Sequence, residues 1–117
     1  MTVKIDSKTL NVRDLTVEVI PALTEWDAWE DGSYKRKIKA FGGYKIWRLD
    51  CYEETSVSWT DSIIKYLQDK IASGSTVTLD INETAYSYNG TAYIKELTFT
   101  PDNTEKVRRY TVTLQEA

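Results

Sequence analysis

The chain has 117 residues, a net charge of −3, no histidine and one cysteine, Cys51. This length predicts one domain over residues 1–117, and the acidic balance excludes a nucleic-acid-binding protein that works by bulk positive charge. A single cysteine excludes an intramolecular disulfide, so the fold must depend on its hydrophobic core, as in proteins that fold in a reducing cytoplasm.

The first thirty residues predict two strands followed by a loop. Val3 and Ile5 alternate with polar neighbours, and the alternation resumes over residues 15–19 before Pro21. The next segment is acidic and aromatic, shows neither a helical nor a strand period, and closes on a turn-prone Asp-Gly pair. We therefore expect an exposed loop over residues 24–33.

A β-hairpin is predicted next. Residues 34–41 alternate in polarity with lysine on one face, residues 44–52 alternate again, and Gly42–Gly43 supplies the turn. The apolar face of the second strand would carry Trp47, Leu49 and Cys51. In that position Cys51 is expected to be a buried and unreactive thiol.

One amphipathic helix is predicted, from about residue 60 to residue 72. Its apolar residues recur three and four positions apart, at Ile63, Ile64, Leu67 and Ile71. Ser58 and Thr60 are candidate N-caps, and Ser73–Gly74 supplies the left-handed residue that ends many helices.

The remaining residues predict a second hairpin and a closing strand. A strand over residues 76–81 leads towards Asn89–Gly90, the strongest short signal for a two-residue hairpin turn. The returning strand would end in a turn at Pro101–Asn103. Alternation over residues 108–116 then predicts a last strand.

These elements amount to about seven strands interrupted by one helix. Four tryptophans, eight tyrosines and two phenylalanines also favour strands, where flat rings pack across neighbouring chains. The pattern predicts a strand-dominated α+β fold, in which the helix covers an antiparallel sheet or a partly closed β-barrel.

The residue types of a typical active site are missing. A chain without histidine lacks the commonest general base and the commonest zinc ligand. Neither Asp31–Gly32 nor Gly42–Gly43 has the spacing of a phosphate-binding loop. We therefore expect a protein that is not an enzyme, with no catalytic residue, no metal and no other cofactor.

The predicted loop is the one place where carboxylates and aromatic rings coincide. Such a set could contact a neighbouring subunit, bind a cation or stack on a carbohydrate, although the acids do not have the spacing of an EF-hand. The residues of this candidate interaction loop are Trp26, Asp27, Trp29, Glu30, Asp31 and Tyr34.

A basic run follows the loop directly. Lys35, Lys37 and Lys39 occupy alternate positions and form a candidate basic face. They could contact phosphates. The interpretation that we favour is a solvated strand face whose lysines discourage edge-to-edge aggregation.

Export and membrane signals are not visible. Residues 1–20 contain no continuous apolar run, so no signal peptide is expected. No stretch of about 20 apolar residues predicts a membrane span.

Four segments stand out by their order along the chain. They are residues 44–52 (YKIWRLDCY), the helix at 60–72, residues 76–81 (TVTLDI) and residues 108–116 (RRYTVTLQE). Their layout resembles the small tail proteins of long-tailed phages and related viruses, in the tail-tube, distal-tail and baseplate-hub tube-domain fold.

This resemblance implies a sheet or split barrel flanked by one helix, with copies assembled into a ring around a channel and no catalytic residues. It also implies a long loop that reaches the neighbouring subunit, for which residues 24–33 and the hairpin at 34–44 are candidates. Distal-tail proteins usually carry a second domain, for which 117 residues leave no room, so the resemblance is to a minimal tube or connector-like subunit.

Two functions remain open from the sequence. The first is a noncatalytic structural subunit of a viral tail or tail-like assembly, which forms rings with itself and with neighbouring structural proteins and belongs to the virion after assembly in the host cytoplasm. The second is a small β-rich module that binds carbohydrate or peptide through Trp26, Trp29 and Tyr34. Neither involves a membrane or sequence-specific nucleic acid.

Overall fold

The computed structural model describes residues 2–101 and 106–117, and strands account for most of them. The strands are β1 (Thr2–Ile5), β2 (Lys8–Glu30), β3 (Ser33–Glu54), β4 (Thr76–Asn82), β5 (Ser87–Thr100) and β6 (Val107–Glu116). A 3-10 turn at Trp59–Asp61 and one α-helix, α1 (Ile63–Ser73), separate β3 from β4. The predicted strand-dominated α+β fold with one helix is confirmed.

The described strands form a closed barrel in the order β1-β2-β3-β6-β5-β4. Every neighbouring pair is antiparallel, and β4 closes the ring against β1. The described barrel has six strands, close to the seven expected, because the predicted strands at residues 34–41 and 44–52 are one continuous strand, β3.

The barrel interior is filled by the alternating residues that the sequence singled out. Trp47, Leu49 and Cys51 on β3 have no exposed surface, and β6 adds Tyr110 and neighbouring apolar residues to the same core. The buried indole of Trp47 donates a hydrogen bond from Nε1 to Tyr86 Oη at 3.0 Å. The predicted burial of Cys51 is confirmed.

The helix α1 begins three residues later than predicted. Its N-cap is Ser62, whose hydroxyl accepts from the Ile64 amide, because residues 59–61 form the 3-10 turn instead. The Ser62 hydroxyl and the Ile63 amide both donate to the buried carboxylate of Glu53, which also pairs with Arg108 at 3.1 Å. Glu53 therefore joins the start of the helix to β3 and β6.

The end of α1 agrees with the prediction. Gly74 adopts φ +67 as the C-cap, and Ile64 and Leu67 are buried on the barrel side. Ile71, predicted on the same apolar face, is 42% exposed, because the last turn extends beyond the core.

The predicted loop at residues 24–33 is wrong. Residues 24–30 belong to β2 and pair with residues 33–39 of β3 in continuous antiparallel register. The strand was not visible as alternation because no face of this part of β2 is buried, so neither face needs to be apolar. Only Asp31 and Gly32 lie outside the strands, as a two-residue turn.

The predicted hairpin turn at Gly42–Gly43 is also wrong. Both residues lie within β3, where Gly43 pairs with Pro21 next to a register shift between Pro21 and Leu23. Gly42 has φ +88, as in glycine-type β-bulges, and a Cβ on Gly43 would lie 2.6 Å from the carbonyl oxygen of Ile20. The two glycines therefore allow a bulge and a close backbone approach within one long strand.

The Asn89–Gly90 turn is a third correction. Asn89 pairs with Asp80 and Gly90 with Leu79, inside the ladder between β4 and β5. A Cβ on Gly90 would lie 2.5 Å from the hydroxyl of Tyr88, whose ring packs on Trp47 at 4.4 Å. Glycine here leaves room for a packed tyrosine, and the chain reverses before residue 87 instead.

The turn predicted at Pro101–Asn103 falls partly outside the described residues, since Asp102 and Asn103 are not among them. The final strand is confirmed as β6, whose residues pair with β3 and β5 on its two sides.

Two strands of the barrel continue far beyond it. We call residues 19–45, the distal part of β2 and β3 with their turn, the arm. None of its residues is buried, and the molecule measures 71 × 32 × 27 Å. The structure is thus a small barrel with a long two-stranded ribbon.

Candidate assembly surface

The tip of the arm is a tight turn. Asp31 and Gly32 both have positive φ, +52 and +75, and the flanking residues Glu30 and Ser33 pair with each other. Positive φ at both central residues is the requirement of the type I′ turn, whose twist matches that of a two-stranded ribbon. The Asp-Gly pair noted in the sequence is therefore the turn of the longest hairpin.

The strand register assigns every side chain of the distal arm to one of two faces, because directly opposed residues share a face and successive residues alternate. We call one the apolar face. It comprises Leu23, Glu25, Asp27, Trp29, Tyr34, Arg36, Ile38 and Ala40. We call the other the lysine face, with Thr24, Trp26, Ala28, Glu30, Ser33, Lys35, Lys37 and Lys39.

The charged groups of the apolar face are linked to one another, with one cation between two carboxylates and a net charge of −1. Arg36 binds Glu25 at 2.8 Å between Nη2 and Oε2 and approaches Asp27 at 3.5 Å. Tyr34 donates its hydroxyl to the same Asp27 at 2.6 Å. The hydrogen bond from Arg36 to Glu25, together with the charge of that carboxylate, raises the pKa of Arg36. The centre of this face is a connected network.

Large apolar side chains flank that network. Trp29 is 76% exposed at the tip, where its ring meets Tyr34 edge-on, and Leu23 and Ile38 are exposed towards the barrel. Seven of the ten large exposed apolar side chains among the described residues lie on the arm: Val19, Leu23, Trp26, Trp29, Tyr34, Ile38 and Phe41. Such a concentration is typical of a surface that another molecule covers.

The lysine face is different in charge. Lys37 and Lys35 share one carboxylate, Glu30, at 2.6 and 3.5 Å. Lys39 lies over the ring of Phe41 at 5.2 Å and has no ion pair within the part of the chain that the structure describes. This face therefore carries three lysines for one acid.

The arm also presents strand edges. In the described residues β2 pairs with β1 only through Lys8–Leu10, and β3 pairs with β6 only from Ile46 onwards. Both strands of the arm therefore have one edge without a neighbouring strand, and such an edge is a template for pairing with another chain.

The structure places all nine predicted site residues on the arm but not in one site. Trp26 and Glu30 lie on the lysine face with the three predicted lysines, whereas Asp27, Trp29 and Tyr34 lie on the apolar face and Asp31 lies in the turn. The three rings proposed to stack on a sugar therefore do not form one platform. Sequence reasoning missed Leu23 and Ile38, which become visible as interface candidates only once the register is known.

The remaining described surface offers little chemistry. Groups of three or more potential metal ligands do not occur among the described residues. Burial raises the pKa of the Cys51 thiol to about 12, and it also raises the pKa of the neighbouring Tyr110 hydroxyl. A thiol with so high a pKa is a poor nucleophile near neutral pH.

Residues 2–101 and 106–117 include no helix that is both long and apolar enough to cross a membrane.

No protein-family model matches the chain, and no curated protein sequence is significantly similar to it. Solved structures that share its fold include two from gene transfer agent particles. One is a chain in the tail of an empty gene transfer agent particle with C6 symmetry, at 11% identity and a TM-score of 0.56, covering 92% of this chain and 78% of that chain. The other is a chain in the virion of a native gene transfer agent particle, at 13% identity and a TM-score of 0.57, covering 99% and 89%. The resemblance expected from the sequence is confirmed at the level of the fold.

Proposed function

We propose that this protein is a noncatalytic, single-domain structural subunit of a virus tail or tail-like particle, which forms rings with copies of itself through strand and loop contacts. Its place would be in the virion, next to other structural proteins, after assembly in the host cytoplasm.

The arm is the observation that carries this proposal. A two-stranded ribbon without a covering layer is marginally stable in water, because it buries too little apolar surface. Among the described residues no strand pairs with the two outer edges of this ribbon, and the ribbon exposes Trp29, Ile38 and other large apolar side chains. Covering these groups in an assembly would stabilise both the ribbon and the contact.

The similarity in fold supports assembly from several copies of this chain. The matched chains come from a tail with C6 symmetry and from a virion, both of them multi-subunit particles. A contact between two different surfaces of the same chain closes into a ring when the rotation between copies divides a full turn. The long arm and the compact barrel are two such different surfaces.

The chemistry of the described residues supports a noncatalytic role. The chain has no histidine, and its only thiol is enclosed in the barrel core. Three of the four carboxylates of the arm, those of Glu25, Asp27 and Glu30, are engaged in ion pairs with lysine or arginine side chains of the facing strand.

The oligomeric state of the purified protein tests the proposal. Native mass spectrometry should give a closed multiple of the 13.5 kDa chain, and negative-stain images should show rings or stacked rings. A protein that stays monomeric up to millimolar concentration would count against a ring-forming subunit.

A further inference from the structure

We propose that the arm docks onto a second copy of this chain through its apolar face, against the exposed Trp59 and the partly buried Phe99 beside it, and keeps its lysine face in water. This inference rests on the proposed function, because it requires self-association.

Charge decides which face of the arm can be buried. On the apolar face the one cation, Arg36, is bound by both Glu25 and Asp27, and the Tyr34 hydroxyl satisfies Asp27 as well. Charges that are already paired and hydrogen-bonded lose less on leaving water than single charges do. The face keeps a net charge of −1, but both carboxylates are bound within the network, so it can be covered at a lower cost than the lysine face with its net charge of +2.

The lysine face cannot be covered in the same way. Lys35 and Lys37 compete for Glu30, and the ammonium group of Lys39 lies over Phe41 without a carboxylate in the described part of the chain. Burying this face would leave positive charge in an apolar contact, which is strongly unfavourable. Long lysine side chains are instead well suited to a surface that stays in water.

The row of the apolar face also continues the barrel core. Along the register, Leu15 with Leu49 and Val17 with Trp47 face the barrel interior, and the same row runs on through Val19 to Leu23. Within the barrel this row is covered by the other strands. On the arm it is uncovered, and in an assembly a neighbouring molecule would take the place of those strands.

The chain itself supplies a matching surface elsewhere. Outside the arm the large exposed apolar side chains of the described residues are Trp59, Ile71 and Tyr93. Trp59 is supported by a ring contact with Phe99 at 6.0 Å between centroids. Trp59 follows the end of β3, and Phe99 is the second-last residue of β5, so the pair lies towards the end of the barrel that points away from the arm.

Because the two surfaces are far apart in one molecule, a second copy of the chain is the partner that can bring them together. The arm and the Trp59–Phe99 pair cannot meet within one molecule, whereas two copies arranged head to tail bring them together. Contacts of this kind join unlike surfaces and repeat from copy to copy, which produces rings or tubes rather than isolated dimers.

Three alanine variants of the full chain test the inference by sedimentation velocity over a concentration series. Trp29→Ala and Trp59→Ala should each raise the concentration needed for assembly at least about 30-fold, as expected for a central aromatic contact. Trp26→Ala is the matched control, since Trp26 lies three residues from Trp29 on the opposite face, and it should change that concentration less than about threefold. Circular dichroism verifies that each variant is folded.

A second measurement addresses the lysine face. Acetylation of the assembled wild-type protein, mapped by mass spectrometry, should modify Lys35, Lys37 and Lys39 as fast as in the dissociated Trp29→Ala variant. Slower acetylation of these lysines in the assembled protein would show that the lysine face is buried in the contact. A larger increase in the assembly concentration for Trp26→Ala than for Trp29→Ala would contradict docking through the apolar face in the same way. If Trp59→Ala assembles at the same concentration as the wild-type protein, Trp59 is not the surface on which the arm docks. If the wild-type protein itself does not assemble, the proposed function fails and not only this inference.

Discussion

Trp29 and Tyr34 face each other across the tip of the arm, with ring centroids 6.1 Å apart and ring planes at 72°. Edge-to-face pairs of this kind contribute about 0.5–1.5 kcal/mol beyond the area that they bury. The hydroxyl of Tyr34 is at the same time held by Asp27. The most exposed aromatic ring of the arm is thus already oriented before any partner arrives.

The turn that brings these two rings together depends on Gly32. Valine at this position would have to adopt φ +75, at a cost of about 1–2 kcal/mol, whereas asparagine tolerates positive φ. We expect Gly32→Val to lower the hydrogen-exchange protection of amides in residues 24–39 and Gly32→Asn to retain most of it. Equal protection in the two variants would contradict the type I′ geometry.

The buried carboxylate of Glu53 should be important for stability. Glu53→Gln removes the charge that pairs with the largely buried Arg108 and weakens the cap of α1, with an expected loss of about 3 kcal/mol in the free energy of unfolding. The same change in an exposed ion pair, Glu18→Gln in the pair with Arg48, should cost less than about 1 kcal/mol. Urea unfolding followed by tryptophan fluorescence measures both, and equal losses would refute the role of Glu53.

The Cys51 thiol makes stability depend on pH in the alkaline range. Its pKa is raised from 9.0 to about 12 by burial, so the folded state keeps the proton that the unfolded state releases above pH 9. The stabilisation from this group is full below pH 9 and is lost as the pH rises towards 12. Cys51→Ala should flatten the decline of the free energy of unfolding between pH 8 and 11.

Iodoacetamide provides an independent check on the same thiol. In the folded protein at pH 8.5 the labelling of Cys51 should proceed no faster than global unfolding, because the thiolate is scarce and the side chain is enclosed. Labelling within seconds under these conditions would show that Cys51 is accessible.

The parts of the fold that were predictable are those in which one face is buried. Trp47, Leu49 and Cys51 alternate because they fill the barrel, and Ile64 and Leu67 follow the helical period because they pack against it. Burial imposes a period on the sequence, and a period can be recognised without knowledge of the fold.

The arm could not be predicted in this way, because no core constrains it. Glu25, Trp26 and Asp27 are consecutive exposed residues, so their order carries no strand period even though they lie in the longest strand. The hairpin turn predicted at Asn89–Gly90 was wrong for a different reason. Its neighbour Tyr88 packs on Trp47 from a strand more than forty residues away, and no local pattern reports such a contact.

The candidate site was predictable in its location but not in its organisation. Trp29 and Lys37 were both singled out by composition, and both lie on the arm. Their separation onto opposite faces follows from the strand register. The register in turn depends on the turn at Asp31–Gly32 and on the bulge near Gly42, which only the assembled ribbon reveals.

The most direct test of the account is to shorten the arm. Ile20 and Tyr44 lie directly opposite each other, so an Asn-Gly turn can replace residues 21–43, none of which is buried. In sedimentation velocity the shortened chain should be a folded monomer, whereas the full chain should form an oligomer of the size of a ring. Assembly of the shortened chain to the same size as the full chain would contradict the proposal that this protein assembles through its arm.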